Sequence, residues 1–231
     1  MIIDWKIVIE TMGIISTAVP RTLLYAVTIL FFGILLGAVL AWIEDKKIPV
    51  VQQIINVIRS YIRGVPLIVH LFIMRYAMPG IAAPFLAVFG LTREPGQFPA
   101  VVIVLTTYIA LEAVIEAQNI RSALYSIDSS QIDAGKSIGM SNTQLTKRVI
   151  VPQALAYAVP LFLNAFLKII KALSLAFTVG LVEILAQAQV AAALSFSYLE
   201  AYIAAALIYW ILCGFLSVIF GRVSKKLQYY N

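Results

Sequence analysis

Four apolar runs, and a fifth that holds if three polar side chains are accommodated, constrain this chain more than any other feature. They cover Ala18 to Trp42, Gln97 to Leu111, Val149 to Leu167 and Tyr198 to Phe220, with a further run from near Ile54 to Met78 that contains Arg59, Arg63 and His70. A helix needs about 20 residues to cross roughly 30 Å of hydrocarbon. Five crossings fit, the third once it extends to about Ala117. Charged residues make up 12% of the chain, against about 25% in soluble domains, so lipid is the solvent for most of it. The expected fold is an all-α integral membrane protein, a single domain over residues 1–231 with five transmembrane helices.

A net charge of +6 would suit a nucleic acid, but its placement argues against one. Lys46 and Lys47 follow the first run, Arg121, Lys136, Lys147 and Arg148 lie between the third and fourth, and Arg222, Lys225 and Lys226 follow the fifth. The connection from Pro79 to Gln97 carries only Arg93, beside Glu94. The positive-inside rule therefore puts the amino terminus outside and the carboxyl terminus in the cytoplasm. The start of the chain, with Asp4, Lys6 and Glu10, lacks the basic head of a signal peptide, so the first span is expected to be retained.

Little in the chain suggests an enzyme. Cys213 is the only cysteine and His70 the only histidine, which removes an intrachain disulfide, a cysteine metal cluster and a histidine-pair zinc site. No glycine-rich loop ends in Gly-Lys-Ser or Gly-Lys-Thr, so no nucleotide site is recognisable. Glu112 and Glu116 could form an acidic pair, but nothing sets a nucleophile or metal beside them. No catalytic residue, cofactor or metal is expected in this chain.

Along the chain, Ile2 to Met12 suits a short amphipathic helix on the outer surface, with Trp5 as interfacial anchor. Gly33 and Gly37, four apart, let a neighbouring helix approach closely. The second span is expected from near Val51, bent or started late at Gly64 and Pro66, because Pro66 frees the carbonyl of Ile62. Arg59 and Arg63 either reach inner headgroup phosphates or, for Arg63, form an ion pair within the bundle. Pro79, Pro84, Pro95 and Pro99, with Gly80, Gly90 and Gly96, point to an outer loop containing one short helix around Ala83 to Phe89. The third span is expected to end with Glu112 and Glu116 on one face, turned toward protein, a water path or the inner headgroups. In the fourth span Asn164, Lys168 and Lys171 share a face. Lys168 there lines a pore or a polar subunit interface, or sits at headgroup level. Ser174 to Leu194 reads as a short, partly inserted helix.

The polar stretch from Asn119 to Gln153 interrupts the apolar pattern. Ser129 or Ser130 can cap a helix with Asp133 in its first turn. Ala134 and Gly135 give that helix a small flank, and Gly139 ends it in a left-handed conformation before Ser141 or Asn142 begins another. The expected shape is a compact helix-turn-helix knob suited to a groove on a partner.

Asp133, Ala134, Gly139 and Val151-Pro152-Gln153-Ala154 resemble the cytoplasmic signature of permease subunits of bacterial ATP-binding-cassette importers. Asp133 stands where that signature has glutamate and Gly135 where it has a second alanine. Tyr61-Ile62-Arg63-Gly64-Val65-Pro66-Leu67 is similar to the Arg-Gly-Thr-Pro-Leu segment of the polar amino acid type, with His70 where glutamine is usual. Arg121 and Gln131 keep the spacing before the signature. Lys171 and Ser174 fit the Lys-Asp-Thr-Ser-Leu segment with Ala172 and Leu173 substituted, and Glu183 matches the acid nine positions on.

The resemblance implies an import permease in the bacterial cell membrane, embedded in the lipid bilayer. Its implied partners are a second permease copy or paralogue, two cytoplasmic ATPase subunits that bind ATP and Mg, and an extracellular or periplasmic amino-acid-binding protein. The segment at about 129–142 would be the coupling helix, with Ser129, Gln131, Asp133, Ala134, Gly135, Gly139 and Met140 at the ATPase. Arg63, Gly64, Pro66, Pro152, Lys171 and Glu183 would be structural. Glu112, Glu116, Gln118, Asn164 and Lys168 are the candidates along the substrate path, since an amino acid needs both donors and acceptors. Gln118 replaces a glutamate common in the family, which disfavours a strongly cationic substrate, and the surroundings of Arg121 and Asp128 look most like the cystine-type members. An ion-coupled secondary transporter and a non-transporting scaffold are the competing classes.

Overall fold

The computed structural model describes residues 3–88 and 98–228 and is helical nearly throughout. Helix α1 (Trp5–Ser16) starts where Asp4 Oδ1 accepts from the Lys6 amide at 2.9 Å. Then follow α2 (Val19–Asp45), α3 (Pro49–Gly64), α4 (Leu67–Val88), α5 (Ala100–Tyr125) and α6 (Ser129–Ser137). A short α7 (Asn142–Leu145) continues through a π turn (Thr146–Ile150) into α8 (Val151–Ala172), and a 3₁₀ segment (Leu173–Val179), α9 (Ile184–Ser195) and α10 (Tyr198–Gln228) complete the chain. Five helical stretches are long and apolar enough to cross a membrane: Val19–Asp45, Leu67–Pro84, Ala100–Tyr125, Asn142–Val179 and Tyr198–Leu227.

The closest helix pairing is α2 against α5, and the glycines explain it. A Cβ on Gly37 would stand 2.9 Å from both the Ala113 carbonyl oxygen and the Ala117 nitrogen, and one on Gly33 would stand 3.0 Å from Glu112 Cβ. Only hydrogen fits in those gaps, so backbone meets backbone and dispersion contacts replace the hydrophobic drive that lipid cannot supply. Around this pair Ile29, Leu71, Val104, Tyr108, Phe166 and Ile169 form one core. Val8, Ile15, Ala188, Ala204 and Ala205 form a second, in which α1 lies on α9 and α10. Trp5, Ile9 and Ile14 are exposed while Val8, Thr11 and Ile15 are buried, and the helix runs to Ser16, past the Met12 expected.

The second crossing departs from expectation. Val65 is extended (φ −105°, ψ 128°) ahead of Pro66, the conformation a following proline imposes. The break is complete: α3 becomes a separate amphipathic helix, and the span begins at Leu67. It then runs through Pro79 and Pro84 to Val88, so Ala83 belongs to the span and not to a helix within a loop. Prolines inside membrane helices are tolerated where neighbours or local adjustment meet the freed carbonyls. Phe89, Gly90, Arg93, Glu94, Pro95 and Gly96 lie outside the described residues.

The third crossing is longer than expected and does not end at Glu116. Helix α5 continues to Tyr125 because its polar residues find partners: Asn119 donates to Glu116 Oε2 at 2.9 Å, and Gln118 Oε1 accepts from Arg63 at 3.2 Å. Helix α8 likewise begins early, its π turn closing with the Val151 amide on the Thr146 carbonyl just before Pro152, which has no amide hydrogen to continue the α pattern. Asn119 to Tyr125 and Asn142 to Gln153 are thus helical extensions of spans, and the true interruption is 126–141.

Replacing Gly37 with leucine should cost about 1–3 kcal/mol by overpacking and lower the thermal midpoint of the purified protein. Gly13, where an added Cβ would meet nothing within 4 Å, should accept alanine without such a loss.

Candidate functional site

The interruption at 126–141 is fully folded. Asp128 is the N-cap of α6, its Oδ1 accepting from the Ser130 amide at 2.9 Å. That hydrogen bond holds the Asp128 carboxyl below the ordinary aspartate range. Ser129 and Ser130, expected as caps, are instead the first helical residues, because the Asp128 carboxylate takes the amide they would have served. Asp133 consequently lies beyond the first turn, where the helix dipole gives it little.

Gly139 adopts φ +82° and ends the segment as expected, its amide bonded to the Lys136 carbonyl at 2.9 Å. Ser141 and Gln144 then form a capping box for α7. Gly135 is buried, and a Cβ there would collide with Leu145 Cδ2 and come within 3.3 Å of Met140 Sδ. The knob is therefore held shut by Gly135, Met140 and Leu145 rather than presenting Gly135 as a small outer flank. Gln153 Nε2 donates to Gln131 Oε1 at 2.5 Å, tying α6 to the start of α8. Ser129, Gln131, Asp133, Ala134 and Gly139 face solvent. Ile138, which the sequence reading passed over, is 79% exposed at the tip.

Behind the knob lies a cluster that sequence reading also missed. Glu44, at the end of α2, is 1% exposed. Its Oε1 accepts from Arg59 of α3, and its Oε2 is in ion-pair contact with Arg121 of α5. Gln52 also donates to the Glu44 backbone carbonyl at 2.6 Å. Arg59 thus pairs with Glu44, and Arg63 donates to neutral Gln118 where an ion pair had been the alternative. The missed signal was the acid itself: Glu44 sits at the C-terminal end of a span with arginines on the two following polar segments.

Within the bundle, Glu112 and Glu116 are buried at 6% and 0% exposure. A recess of about 160 Å³ is lined by His70 of α4, Tyr108 and Glu112 of α5 and Lys168 of α8, with apolar walls such as Ile62 and Ile115. Glu116, Gln118 and Asn164 are not among its lining residues, so only Glu112 and Lys168 of the expected path residues meet there. Lys171 borders a different recess with Tyr209 and Cys213, which separates it from Lys168 despite their shared helix. A larger groove of about 760 Å³ opens between the C-terminal ends of α2 and α5 and reaches α6.

Two further groups close helix ends. Glu183, fully buried, caps α9 by accepting from the Leu185 and Ala186 amides at 2.9 and 2.8 Å, and from the Tyr209 hydroxyl at 2.7 Å. Arg75, unremarked in the sequence, donates at 2.8 Å to the Val179 carbonyl, at the end of the 3₁₀ segment.

Residues 33–229 match the family model described as the binding-protein-dependent transport system inner membrane component. The chain belongs to that family. It is therefore a membrane-embedded permease, a transport component and not an enzyme, in a system that works with a binding protein. The probable amino-acid ABC transporter permease PatM of Vibrio harveyi is 41% identical over 207 residues, covering 90% of this permease and 88% of PatM. The L-cystine transport system permease TcyL of Bacillus subtilis is 31% identical over 226 residues, covering 97% and 92% of the two chains. A crystal structure of an amino acid ABC transporter with histidines superposes with a TM-score of 0.80 at 22% identity, covering 98% of this permease and all of that chain. That likeness establishes the five-span fold.

Glu44→Gln leaves two guanidinium groups facing a neutral amide. It should destabilise the permease by about 3 kcal/mol, read as a lower thermal midpoint in detergent. Adding Arg59→Met should recover part of the loss.

Proposed function

We propose that this permease forms the membrane pathway of an ATP-driven importer of polar amino acids, with L-cystine the foremost substrate. The amino-acid class is supported by the relatives: PatM is named as an amino-acid ABC transporter permease and TcyL as an L-cystine permease. The absence of an acid at Gln118 agrees with a substrate that is not strongly cationic.

The observation that carries the mechanism is the knob at 126–141. It is an ordered turn between helices, with an Asp128 cap, a left-handed Gly139 and Gly135 packed close against Leu145. It displays Ala134, Ile138 and Gly139, small or apolar groups that suit a groove on another protein. In this reading each of two permease copies, identical or related, seats its knob in one of two cytoplasmic ATPase subunits, which hold ATP and Mg. The amino terminus faces outward toward the binding protein, and the carboxyl terminus lies in the cytoplasm of a bacterial cell. Ser129, Gln131, Asp133, Ala134, Gly139 and Met140 make or support the ATPase contact.

Gly135→Leu forces the knob open. In proteoliposomes holding permease, ATPase and binding protein, it should reduce ATP-driven amino acid uptake at least tenfold while the permease stays in the membrane. Asp133→Lys should do the same by reversing charge on the exposed face. Uptake at the wild-type rate in both variants would remove the coupling role, and uptake with no ATPase present would favour an ion-coupled transporter.

A further inference from the structure

The groove of about 760 Å³ at the C-terminal ends of α2 and α5 changes character along its length. Ala38, Ala41, Trp42 and Asp45 line it from α2, at the spacing of one helix face. The step from Ala38 to Asp45 covers about 10 Å of helix, over which the wall passes from small apolar groups to a carboxylate. Helix α5 contributes Ile120 and Leu124 and, beside them, Arg121 and Tyr125. Trp42 and Tyr125 are 63% and 62% exposed. Exposed tryptophan and tyrosine at the ends of membrane spans mark the headgroup level. The groove therefore opens where the polar and apolar parts of a lipid meet.

Charge at the polar end is unbalanced. The single Glu44 carboxylate serves both Arg59 and Arg121, and Lys46 and Lys47 follow it in the chain. Asp45 is the other acid, its Oδ1 accepting from the Tyr125 hydroxyl at 3.4 Å. Cations therefore outnumber carboxylates here. The Lys46 ammonium lies 4.7 Å from the centroid of the Trp42 ring, and the Arg121 guanidinium 5.7 Å from that of Tyr125. Both rings line the groove, so each holds a cation beside it. Arg121 spends Nη1 on Glu44 and its side chain is 26% exposed. A guanidinium has five donors, so this arginine can serve a second anion without leaving the first.

We propose that this groove binds one anionic phospholipid, with its phosphate at Arg121 and Lys46 and an acyl chain along Ala38, Ala41, Ile120 and Leu124. A zwitterionic lipid would bring its own cation to a place where cations are already in excess. An anionic headgroup neutralises that excess. The volume of about 760 Å³ would hold about 25 waters at roughly 30 Å³ each, so a soluble phosphate would leave most of it unfilled, whereas an acyl chain occupies the apolar end. Ser129 and Ile132 of α6 and Ile150 of the π turn border the same groove. The lipid would thus join α2 and α5 to the base of the knob. The site requires only that the chain is embedded in lipid, and it stands apart from the choice of substrate and from the coupling reading above.

Trp42 can report on the site directly. With Trp5→Phe and Trp210→Phe it becomes the sole tryptophan, so quenching by lipids with brominated acyl chains measures which lipid lies against it. The full permease is reconstituted in phosphatidylcholine vesicles in which brominated phosphatidylglycerol or brominated phosphatidylcholine replaces a rising share of the lipid. Phosphatidylglycerol should show a relative affinity at least about fivefold higher, the factor expected of one cation near the headgroup. Adding Lys46→Gln should lower that preference severalfold. Ala38→Phe, at an exposed position away from the ion pairs, should abolish it by filling the apolar end, and unchanged thermal midpoints report that both variants are folded. A preference that survives Ala38→Phe would be the diffuse attraction of a basic surface and would overturn the site. Quenching of Trp42 by neither lipid would also overturn it, by showing that protein, such as a second copy of the chain, covers the groove. Loss of the preference in inorganic phosphate, but not in chloride of equal ionic strength, would assign these cations to a soluble anion instead.

Discussion

The approach of α2 to α5 at Gly33 and Gly37 is the contact on which the interior depends. Because Gly37 has no Cβ, the α2 backbone reaches the Ala113 carbonyl and the Ala117 nitrogen, and Glu116 Cβ packs against the same point. The glycine face and the acidic face of α5 are therefore the same face. Glu112 and Glu116 are carried into protein and away from lipid by their neighbour's missing side chains, which answers the high cost of a charge facing hydrocarbon. A bulkier residue on α2 would move both acids together with the core residues Val104 and Tyr108 on their helix.

Polar groups in the bundle divide by whether the fold consumes them. Glu183 accepts two amides and a tyrosine hydroxyl, Arg75 closes the end of the 3₁₀ segment, and Glu44 holds two guanidinium groups. Each of these joins elements distant in sequence, so each contributes to architecture. Glu112 Oε2 and His70 Nε2 join nothing. Glu116 stands between, one oxygen bonded to Asn119 and the other free. This division assigns the structural burden to the ends of the helices and leaves the unspent polarity near the middle of α5.

Much of this was legible in the sequence, and the reasons for the remainder are physical. Five apolar runs gave five spans because length against hydrocarbon thickness leaves little choice. Gly139 and Ser141 were readable because a left-handed residue and an N-cap depend on local chemistry. Glu183 was readable only as an acid at a family position, since its role as a cap needs Tyr209 from another helix. Helix ends failed where tertiary partners overrode composition: Gln118, Asn119 and Arg121 look like a span terminus until Arg63, Glu116 and Glu44 meet them. Pro79 and Pro84 read as breakers because the sequence does not reveal that a membrane helix can carry them. The Glu44 cluster was passed over, although its acid stands at a span end, because its members lie 15 and 62 positions apart along the chain and only the fold brings them together.

That cluster also bears on how a displacement of the knob would spread into the bundle. The knob joins α5 at Ser126 and α8 through the π turn, and Gln131 to Gln153 braces the two ends. Arg121, one turn before the end of α5, is paired with Glu44, and Glu44 is paired with Arg59 of α3. Helix α3 ends at Gly64, and the break that follows carries Val65 and Pro66, next to His70. On the proposed coupling reading, displacing the knob loads α5 and α8 directly and α3 through Glu44. These elements supply all the walls of the recess apart from α4, which follows α3 across the break. A movement of α3 relative to α5 would therefore reach the start of α4 through the break at Val65 and Pro66. Glu44 is the joint that ties α3 to α5 in that arrangement.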